Sequence, residues 1–538
     1  MRLIETVRHL KARQLAWRLR RRLLRPTARP LETPLAMKAG AAGWVTPPPR
    51  PSPYAGKRRF RFLNETACID DIGWTAADQS ALWRYNLHYH DWVRAAATKE
   101  QRAEAMALIR DWIGANPAGT AISWDPYPMS LRIVNWIRLG IQTGELPEDV
   151  LTSLGHQVKW LIANLEYDIL GNHLFANAKA LAFAGIAMAG PEVESWRARG
   201  FALVLDEVAE QTLPDGGHFE LSPMYHAIFI EDLLDLINLA RWAGAQGFGA
   251  SLTSYAEAGL RWLAAMSHPD GEIALFNDAA FGIALQLETL RGYASRLGLS
   301  ARIDPDASIW LQSGYARLIC GDAVVIADAA AVGPGYQPGH AHADTLSFEF
   351  SLGDQRVIVN SGTSEYGLGP ERQRQRGTSA HSTLQLAGAN SSDVWAGFRV
   401  GRRARVRMHG FGGGKLEGSH DGYRFLDGRP EHHRSWTLES DCLAIEDRIA
   451  GEKGSSWPAR LFFHLHPEIE VRENCGLFSL YLPGGQRIDV ACDRPLTSVE
   501  STWHPRFGQV IANLCLVAEW QASPNQPSVR TTFRWGTK

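Results

Sequence analysis

Apolar residues recur at three- and four-residue spacing along the first half of the chain, from about Trp74 to Gly298. This is the spacing of an amphipathic helix, and segments such as TKEQRAEAMALIRDWI and SPMYHAIFIEDLLDLINLARWA keep it through several turns. Short breaker sequences (NPAG, LPED, PDGG and HPDGE) separate these segments. Many helices with short connections favour antiparallel neighbours, so the pattern predicts a helical array or toroid rather than an α/β fold.

The spacing of apolar residues changes after about Ile309. Segments such as TLSFEFSL, QRVIVN and STLQLAG alternate between apolar and polar residues, and glycine-rich turns separate them. This alternation predicts a large antiparallel β region in the form of a stacked-sheet sandwich. The expected fold is therefore an α+β multidomain protein, with an N-terminal (α/α) toroid at 56–305 and an antiparallel β-sandwich domain at 306–538.

Residues 1–55 differ from both halves. They contain a basic segment, MRLIETVRHLKARQLAWRLRRRLLRP, and a proline-rich linker, TPPPRPSP. Two interpretations of the basic segment stay open: it binds a membrane surface or an acidic polymer, or it docks on its own domain. Read as one helix, it places the following apolar residues near one face: Leu3, Val7, Leu10, Trp17 and Leu24.

Composition narrows the classes of function. The 538 residues carry a formal net charge of −1 and the sequence pI is near 7.0, so a global basic field for nucleic acid is absent. No apolar run reaches the ~18 residues of a membrane-spanning helix. The six cysteines are scattered, which indicates buried thiols rather than a zinc ribbon or a disulfide scaffold. The 19 tryptophans and 18 histidines suit sugar stacking and acid–base chemistry, although a tryptophan most often fills a core.

Two clusters of polar residues lie in the helical half. In GNHLFAN, Asn172 stands at the start of a predicted helix, where an asparagine is most often only an N-cap. In DGGHFELSPMYH, Ser222 and Pro223 predict the N-cap and first position of another helix. Tyr225 then falls in the first turn, where the positive end of the helix dipole can lower the pKa of a phenol. A buried, hydrogen-bonded tyrosine is the alternative.

Two further clusters lie in the sheet half. In GHAHAD, His340 and His342 would project to the same face if a strand begins there, which suits a metal, or a catalyst beside a ligand. In RQRQRGTSAHSTL, His381 is a candidate partner for that pair. The arginines just upstream of His381 could meet an acidic substrate or simply be solvated.

Six motifs follow one another along the chain: SWDPYPMSLRIVNW, GNHLFAN, DGGHFELSPMYH, GHAHADTLSFEF, TSAHSTL and HDGY. In this order, and across the change of periodicity, they resemble the heparinase II/III family of polysaccharide lyases, over about residue 80 to at least 440. The basic N-terminal segment is similar to that of family members from polysaccharide-biosynthesis loci. The resemblance implies a toroid followed by antiparallel sheets, with the active site in the cleft between them.

The resemblance also implies a mechanism, β-elimination next to a uronic acid in an acidic polysaccharide. Three roles are needed: a neutraliser for the uronate carboxylate, a base at C5 and an acid for the departing O4. By motif position, Asn172 and His173 would be the neutraliser. Tyr225 would be the base, the acid or both in turn, and His340 would be the second acid/base group. The substrate-binding residues implied in the same way are Trp124, Tyr127, His218, Glu220 and Arg376.

A structural zinc is common in the family, whereas no organic cofactor is implied. Motif matching makes His342 and His381 zinc ligands. The third ligand is usually an aspartate in the segment that reads IVNSGT here, where Asn360 stands instead. A neutral amide is a poor zinc ligand compared with a carboxylate, so this departure puts the metal in question.

Two other functions stay open. One is a glycoside hydrolase on a toroid, for which the available carboxylates form no pair that the sequence justifies. The other is a non-catalytic exopolysaccharide-binding protein. The family favours the periplasm, whereas the absence of a recognisable signal peptide favours the cytoplasm. The carboxylates in question are Asp125, Asp215, Glu220 and Asp278.

Overall fold

The computed structural model describes residues 2–24, 34–301, 307–526 and 528–536. Helices occupy the first half of the described chain and antiparallel strands the second, so the predicted α+β architecture is confirmed. The last helix of the first half ends at Arg296, and the strand that opens the second half begins at Ile309. The boundary predicted at 305–306 lies outside the described residues.

The N-terminal segment and the first half are mainly helical. Two short antiparallel pairs accompany the helices: β1 (Ala36–Met37) with β4 (Met188–Ala189), and β2 (Arg59–Phe62) with β3 (Glu65–Cys68). None of the described helices combines the length and apolar composition needed to cross a bilayer. The helices are α1 (Arg2–Val7), α2 (Ala12–Leu23), α3 (Ile69–Ile72), α4 (Ala81–Tyr89), a 3₁₀ helix (Asp91–Ala95), α5 (Lys99–Ala115), α6 (Pro126–Thr143), α7 (Glu148–Ala163), α8 (Gly171–Ala187), α9 (Val193–Gln211), α10 (Pro223–Trp242), α11 (Gln246–Ala265) and α12 (Leu287–Arg296).

The helices α8 and α10 form the centre of the helical half. α8 packs against α6, α9 and α10 and is apolar on nearly all sides, as a helix enclosed by other helices must be. α10 starts as predicted: Pro223 occupies its first turn, and the Ser222 hydroxyl accepts a hydrogen bond from the backbone N–H of Tyr225. The first turns of these two helices therefore carry Asn172 and Tyr225.

The second half contains three antiparallel sheets. One is a five-stranded meander in the order β5-β6-β7-β8-β9, one has eight strands in the order β13-β14-β15-β16-β23-β20-β19-β18, and one has four in the order β10-β17-β22-β21. The short pair β11-β12 and one helix, α13 (Pro370–Arg376), connect them. The strands are β5 (Ile309–Trp310), β6 (Tyr315–Cys320), β7 (Ala323–Asp328), β8 (Phe348–Leu352), β9 (Gln355–Ile358), β10 (Leu384–Leu386), β11 (Val394–Trp395), β12 (Arg399–Val400), β13 (Val406–Gly412), β14 (Lys415–His420), β15 (Glu431–Leu438), β16 (Cys442–Ala450), β17 (Trp457–His464), β18 (Glu470–Asn474), β19 (Leu477–Tyr481), β20 (Arg487–Cys492), β21 (Leu496–Trp503), β22 (Ile511–Ala522) and β23 (Val529–Trp535).

Apolar side chains from all three sheets share one core. Phe348 of β8, Trp436 of β15 and Leu461 of β17 are fully buried in it, which is the packing of stacked sheets. A second, smaller cluster joins the halves, because Trp262 of α11 packs with Tyr315 of β6. The five-stranded sheet therefore faces the helical half on one side and the sandwich core on the other.

The described part of the basic N-terminal segment docks on its own chain, as one of the two interpretations predicts. It forms two helices rather than one. The buried side chain of Gln14 donates hydrogen bonds to the backbone oxygens of Ile169, in the helical half, and Tyr336, in the sheet half. In α1, Thr6 donates to the backbone oxygen of Val400. The segment thus bridges the two halves of the molecule.

We expect Leu461→Ala to destabilise the sheet half by about 2–5 kcal/mol, because the truncation leaves a cavity between packed sheets. Arg460, which directly precedes Leu461 on β17, is the matched control. Its side chain points to the opposite face and forms an exposed ion pair with Glu519. Arg460→Ala should cost at most about 1 kcal/mol. Urea-unfolding midpoints of the two variants measure the difference, and equal losses would contradict the assigned strand faces.

Candidate functional site

A buried carboxylate, Asp278, lies at the meeting point of the two halves. Its Oδ2 atom is 2.9 Å from Nδ1 of His340, and its Oδ1 atom is 2.8 Å from Nε2 of His342. The Arg372 guanidinium, on α13, donates to both carboxylate oxygens. Burial alone would raise the pKa of Asp278, but Arg372 and the two imidazoles hold it well below its ordinary value. Asp278 is therefore a fixed negative charge.

The GHAHAD motif does not start a strand, because β8 begins only at Phe348. The condition for placing His340 and His342 on one strand face is therefore not met; the two imidazoles instead contact different oxygens of the same carboxylate, Asp278. Because Nδ1 of His340 contacts Asp278, its Nε2 atom carries the free lone pair when the ring is neutral. This Nε2 atom lies 3.5 Å from Oε2 of Glu220.

Tyr225 stacks on the imidazole of His340, with ring centroids 3.9 Å apart. Its hydroxyl lies 3.0 Å from the hydroxyl of Tyr366. Burial raises the pKa of Tyr225 well above its ordinary value, and the neighbouring Tyr366 adds to the effect. The expectation that the start of α10 lowers this pKa is therefore wrong, because desolvation outweighs the helix dipole. The phenol is neutral and can donate a proton.

The start of α8 faces the same place. The backbone N–H of Asn172 donates to Oε1 of Glu220 over 3.1 Å, and the carboxamide oxygen of Asn172 has no partner among the described residues. Gly171 allows this approach: its φ is +58°, and a Cβ atom there would lie 2.5 Å from Glu220. Burial raises the pKa of Glu220, which favours its neutral form beside the other groups.

His173 is oriented by a carboxylate and an aromatic ring. Its Nδ1 atom is 2.9 Å from Oε1 of Glu166, and its ring lies 4.4 Å from that of Tyr127, centroid to centroid. Burial by itself would lower the pKa of His173, but Glu166 outweighs it and the pKa is raised above its ordinary value. A raised pKa keeps this imidazole cationic over a wider pH range.

Three site segments contain a residue in the left-handed region, which leucine rarely adopts and asparagine adopts more readily. Leu170 (φ 71°) precedes α8, Leu221 (φ 59°) precedes α10, and Asn277 (φ 57°) precedes Asp278. Such a conformation costs of order 1 kcal/mol for a leucine. Hydrogen bonds hold Leu221 in this conformation, since its backbone oxygen accepts from both the Tyr315 hydroxyl and the side-chain amide of Asn277.

The structure brings together only part of the predicted substrate-binding set. Tyr127 and Glu220 lie beside the predicted catalytic residues. Trp124 is buried in the helical half, where its indole N–H donates to the backbone oxygen of Asn116 and its ring meets that of Trp160. Trp124 thus has the contacts of a core residue.

Two other members of that set are buried. The Arg376 guanidinium donates to the backbone oxygens of Ala341 and Gly397, so it holds two site loops instead of reaching a polymer, and the prediction of substrate contact is corrected for this residue. His218 bonds to Gln211 through Nε2, whereas its Nδ1 atom has no hydrogen-bond partner among the described residues. Substrate contact by His218 stays a prediction.

The candidate metal centre differs by one residue from the predicted set. His342, Asp344 and His381 each bring a ligand atom to within 4.8 Å of the other two, and all three are buried. Asn360 contacts this group through His381, since its Oδ1 atom lies 2.8 Å from Nδ1 of that ring. Asp344 of the GHAHAD motif supplies a carboxylate that motif matching did not include, and Asn360 as a ligand stays a prediction.

The donor set fits a cation. Nδ1 of His342 and Nε2 of His381 are buried and have no hydrogen-bond partner among the described residues. Burial lowers the pKa of both imidazoles, to about 4 for His342, so both are neutral, as a metal requires. Burial also raises the pKa of Asp344, because it disfavours the charged carboxylate. A bound cation would offset this cost of burying the charge. His342 meets Asp278 through its other nitrogen, the usual arrangement for a metal-bound imidazole.

Sequence reasoning missed three residues of this site. Asp278 was grouped with carboxylates of a hydrolase, Arg372 with solvated or substrate-facing arginines, and Tyr366 carried no local signal. The only hint was the arginine spacing on α13, which places Arg372 and Arg376 on one side of a helical turn. Nothing in the sequence brings Asp278 and Arg372, which are 94 residues apart, to one place.

A helical domain joined to stacked antiparallel sheets, with a tyrosine–histidine pair where they meet, defines the class of this protein. Residues 54–297 match the profile described as heparinase II/III N-terminus, and residues 303–532 match the profile described as heparinase II/III-like, C-terminal. The two profiles together span most of the chain. The chain belongs to the heparinase II/III family.

Curated relatives are distant. FtsZ-localized protein C of Caulobacter vibrioides is 25% identical over 440 residues, which is 74% of this chain and 72% of that protein. The heparin-sulfate lyase of Bacteroides thetaiotaomicron is 28% identical over 192 residues, 31% of this chain and 27% of the lyase. The corresponding enzyme of Pedobacter heparinus is 26% identical over 229 residues, 38% of this chain and 34% of the enzyme. The matches to these two lyases thus span only 27% and 34% of the lyases' own length.

Solved structures share the fold. A heparinase III structure superposes with a TM-score of 0.68 at 18% identity, covering 86% of this chain and 78% of that one. A heparan sulfate lyase from Pedobacter heparinus superposes with a TM-score of 0.60 at 19% identity, covering 89% and 82%. The toroid-plus-sandwich arrangement predicted from periodicity is the arrangement of these proteins.

We expect Glu166→Gln to lower the pKa of His173, because the substitution keeps the shape of the side chain but removes its charge. A raised folded-state pKa stabilises the protein below its unfolded value of about 6.5, and this contribution is lost as the pH rises through the folded pKa. The variant should therefore lose more stability near pH 5 than near pH 9. Histidine NMR titration measures the shift, with half-buried His156 on α7 as internal control. An unchanged His173 titration would contradict the pairing.

Proposed function

We propose that this protein is a polysaccharide lyase that cleaves a uronate-containing glycan by β-elimination. The observation that carries the proposal is the pairing of a neutral phenol, Tyr225, with the imidazole of His340, whose orientation Asp278 fixes. A protein that only binds a polymer has no need of this pairing. Family membership and the heparin-sulfate lyase relatives support the same reaction.

The first chemical demand is to neutralise the uronate carboxylate, since the C5 proton is not acidic beside a full negative charge. Asn172 offers a carboxamide at the positive end of α8, and His173 offers an imidazole whose pKa is raised. These two neighbours face the site from the helical half. Together they supply the hydrogen bonds and positive charge that stabilise the enolate-like intermediate.

The second demand is proton transfer at two places. His340 presents Nε2 as the base that takes the C5 proton, because its Nδ1 side contacts Asp278, which also stabilises the imidazolium formed. The C4–O4 bond then breaks as a C4–C5 double bond forms, and Tyr225 donates its proton to O4. The products are a new chain end and an unsaturated uronate. Exchange with water returns His340 and Tyr225 to their starting protonation states.

The hydrolase alternative meets a geometric objection. Hydrolysis of a glycoside needs one carboxylate free as an acid and another free as a nucleophile or base. Glu220 beside His340 keeps one oxygen, Oε2, without a hydrogen-bond partner among the described residues. The other two carboxylates of the site are bound to protein groups: Asp278 to Arg372 and two imidazoles, and Glu166 to His173 and Asn177, so no second free carboxylate completes a pair. The site is thus built around imidazole and phenol chemistry.

The metal that we propose for the cluster is zinc, held by His342, Asp344 and His381. Two imidazoles and one carboxylate are a donor set that zinc favours. When bound, zinc would supply a structural cross-link and a local positive charge behind Asp278. Asn360 would act on the cluster by orienting His381.

We expect Tyr225→Phe to lower the elimination rate by about 10²–10⁴-fold while the fold is kept, because phenylalanine preserves the ring stacking but has no proton to donate. The assay follows the ultraviolet absorbance of unsaturated uronate on a panel of heparan-type, alginate-type and bacterial exopolysaccharide substrates. Tyr366→Phe is the matched control: it removes only the hydroxyl partner of Tyr225 and should cost roughly tenfold or less, the value of one hydrogen bond.

Each alternative gives a different result in that assay. New reducing ends without ultraviolet absorbance would indicate hydrolysis. Saturable binding of the polymers with no cleavage of any would indicate a binding protein. Elimination by Tyr225→Phe at the wild-type rate would remove Tyr225 from the mechanism.

We expect the purified protein to carry about one equivalent of zinc and Asp344→Asn to lose most of it. Asn360→Ala should weaken zinc binding by about 10–100-fold, because the partner that orients His381 is lost. Mass-spectrometric metal analysis after dialysis measures both, with exposed His409→Ala as the control that retains the metal. A metal-free wild-type protein after refolding with added zinc would contradict the assignment.

A further inference from the structure

We propose that the N-terminal helices dock the protein on an anionic lipid bilayer through an apolar face that points away from the rest of the chain. This face, the leucine face, consists of Leu15, Leu19 and Leu23 of α2. They are 47%, 59% and 72% exposed, respectively. Spaced four residues apart, they lie along one side of the helix. The proposal does not depend on the proposed lyase function.

The opposite side of α2 is the one that contacts the protein. Gln14 is fully buried against both halves, and Trp17 packs on Tyr167. Arg21 on the same side pairs with Asp168. A surface helix of a globular protein normally turns its apolar side inward and its polar side to water. On α2 three leucines face water together with the arginines, so burial against the described residues does not explain these leucines.

The helix before α2 also exposes apolar side chains. Leu3 and Ile4 of α1 are 58% and 71% exposed. Scattered exposed leucines are ordinary on any surface, but a row of them within one short segment marks an interaction site. Exposed large hydrophobic residues elsewhere on the described chain are spread over many separate elements.

Basic side chains flank the leucine face on both sides. Arg18 and Arg22 follow one edge of the row at helical spacing, and Arg13 and Arg20 follow the other. All four are exposed. A helix that lies flat in a membrane interface combines an apolar strip with arginines that reach the lipid headgroups. The arginines select anionic lipid, and the leucines require an apolar layer beneath it.

Two other occupants match these residues less well. A soluble acidic polymer would use the arginines but leave the leucines in water. A second copy of the chain, meeting this one face to face, would bring Arg18 and Arg22 of the two copies close together and incur repulsion. A bilayer with anionic headgroups satisfies both kinds of side chain at once.

The test is co-sedimentation of the full chain with vesicles of phosphatidylcholine alone and of phosphatidylcholine with phosphatidylglycerol. We expect binding to the mixed vesicles that falls with salt, and little binding to phosphatidylcholine alone. Leu15→Gln/Leu19→Gln/Leu23→Gln should weaken binding by about 100-fold or more, because three partly inserted leucines are lost. Glutamine preserves helix propensity, and the three side chains make no core contact.

Matched variants separate the two components of the face. Arg18→Gln/Arg22→Gln should reduce binding by roughly tenfold or more and flatten its salt dependence. A control that replaces three exposed apolar residues elsewhere with glutamine should bind as the wild type does: Leu205, Leu477 and Val510. Circular dichroism and thermal unfolding check that each variant is folded.

Several outcomes would overturn the proposal. One is equal vesicle binding by the wild type and the triple leucine variant. Another is a dimer in sedimentation velocity that the leucine variant converts to a monomer, which would assign the face to self-association. A third is retention on immobilised heparin that depends on Arg18 and Arg22, without vesicle binding, which would assign the face to acidic polymers.

Discussion

Three side chains meet the carboxylate of Asp278 and form the contact on which the site depends. Its partners, His340, His342 and Arg372, come from segments 62 to 94 residues further along the chain. An unpaired carboxylate at this depth would cost several kcal/mol, so the native packing requires all of these donors to be in place. The same contacts fix which nitrogen of His340 is free, turn the other nitrogen of His342 toward the metal cluster, and anchor α13. The carboxylate of Asp278 therefore links the proposed base, His340, to a residue of the candidate metal cluster, His342.

The helical half contributes the other side of the site through the first turns of two helices. The first turns of α8 and α10 carry the neutralising groups and the phenol, and left-handed residues at Leu170 and Leu221 turn the chain into those helices. Backbone strain of this kind persists only where surrounding contacts over-determine it. The N-terminal segment adds a further constraint, because Gln14 ties the loop before α8 to the loop before His340. Gln14 therefore connects the helical side of the site to its sheet side.

Much of the architecture was predictable because periodicity reports burial directly. Helical spacing followed by alternation placed the transition from helices to sheets, and the order of motifs placed Asn172, His173, Tyr225 and His340 together. Individual roles were less accessible. Burial reversed the expected pKa shift of Tyr225, Asp344 joined the two histidines of the metal cluster, and Arg376 proved to be buried. Each of these depends on desolvation or on partners distant in sequence, which local patterns do not encode.

The class of fold, the start of α10 at Pro223 and the residue types available for elimination could be predicted from the sequence, because they follow from local spacing and from motif order. Only the folded chain shows which charges pair, which imidazole nitrogens stay free, and which side of α2 faces water. Those outcomes depend on what surrounds each group after the chain has folded. The leucines of α2 illustrate the difference: their spacing is visible in the sequence, but their exposure is a property of the packed molecule.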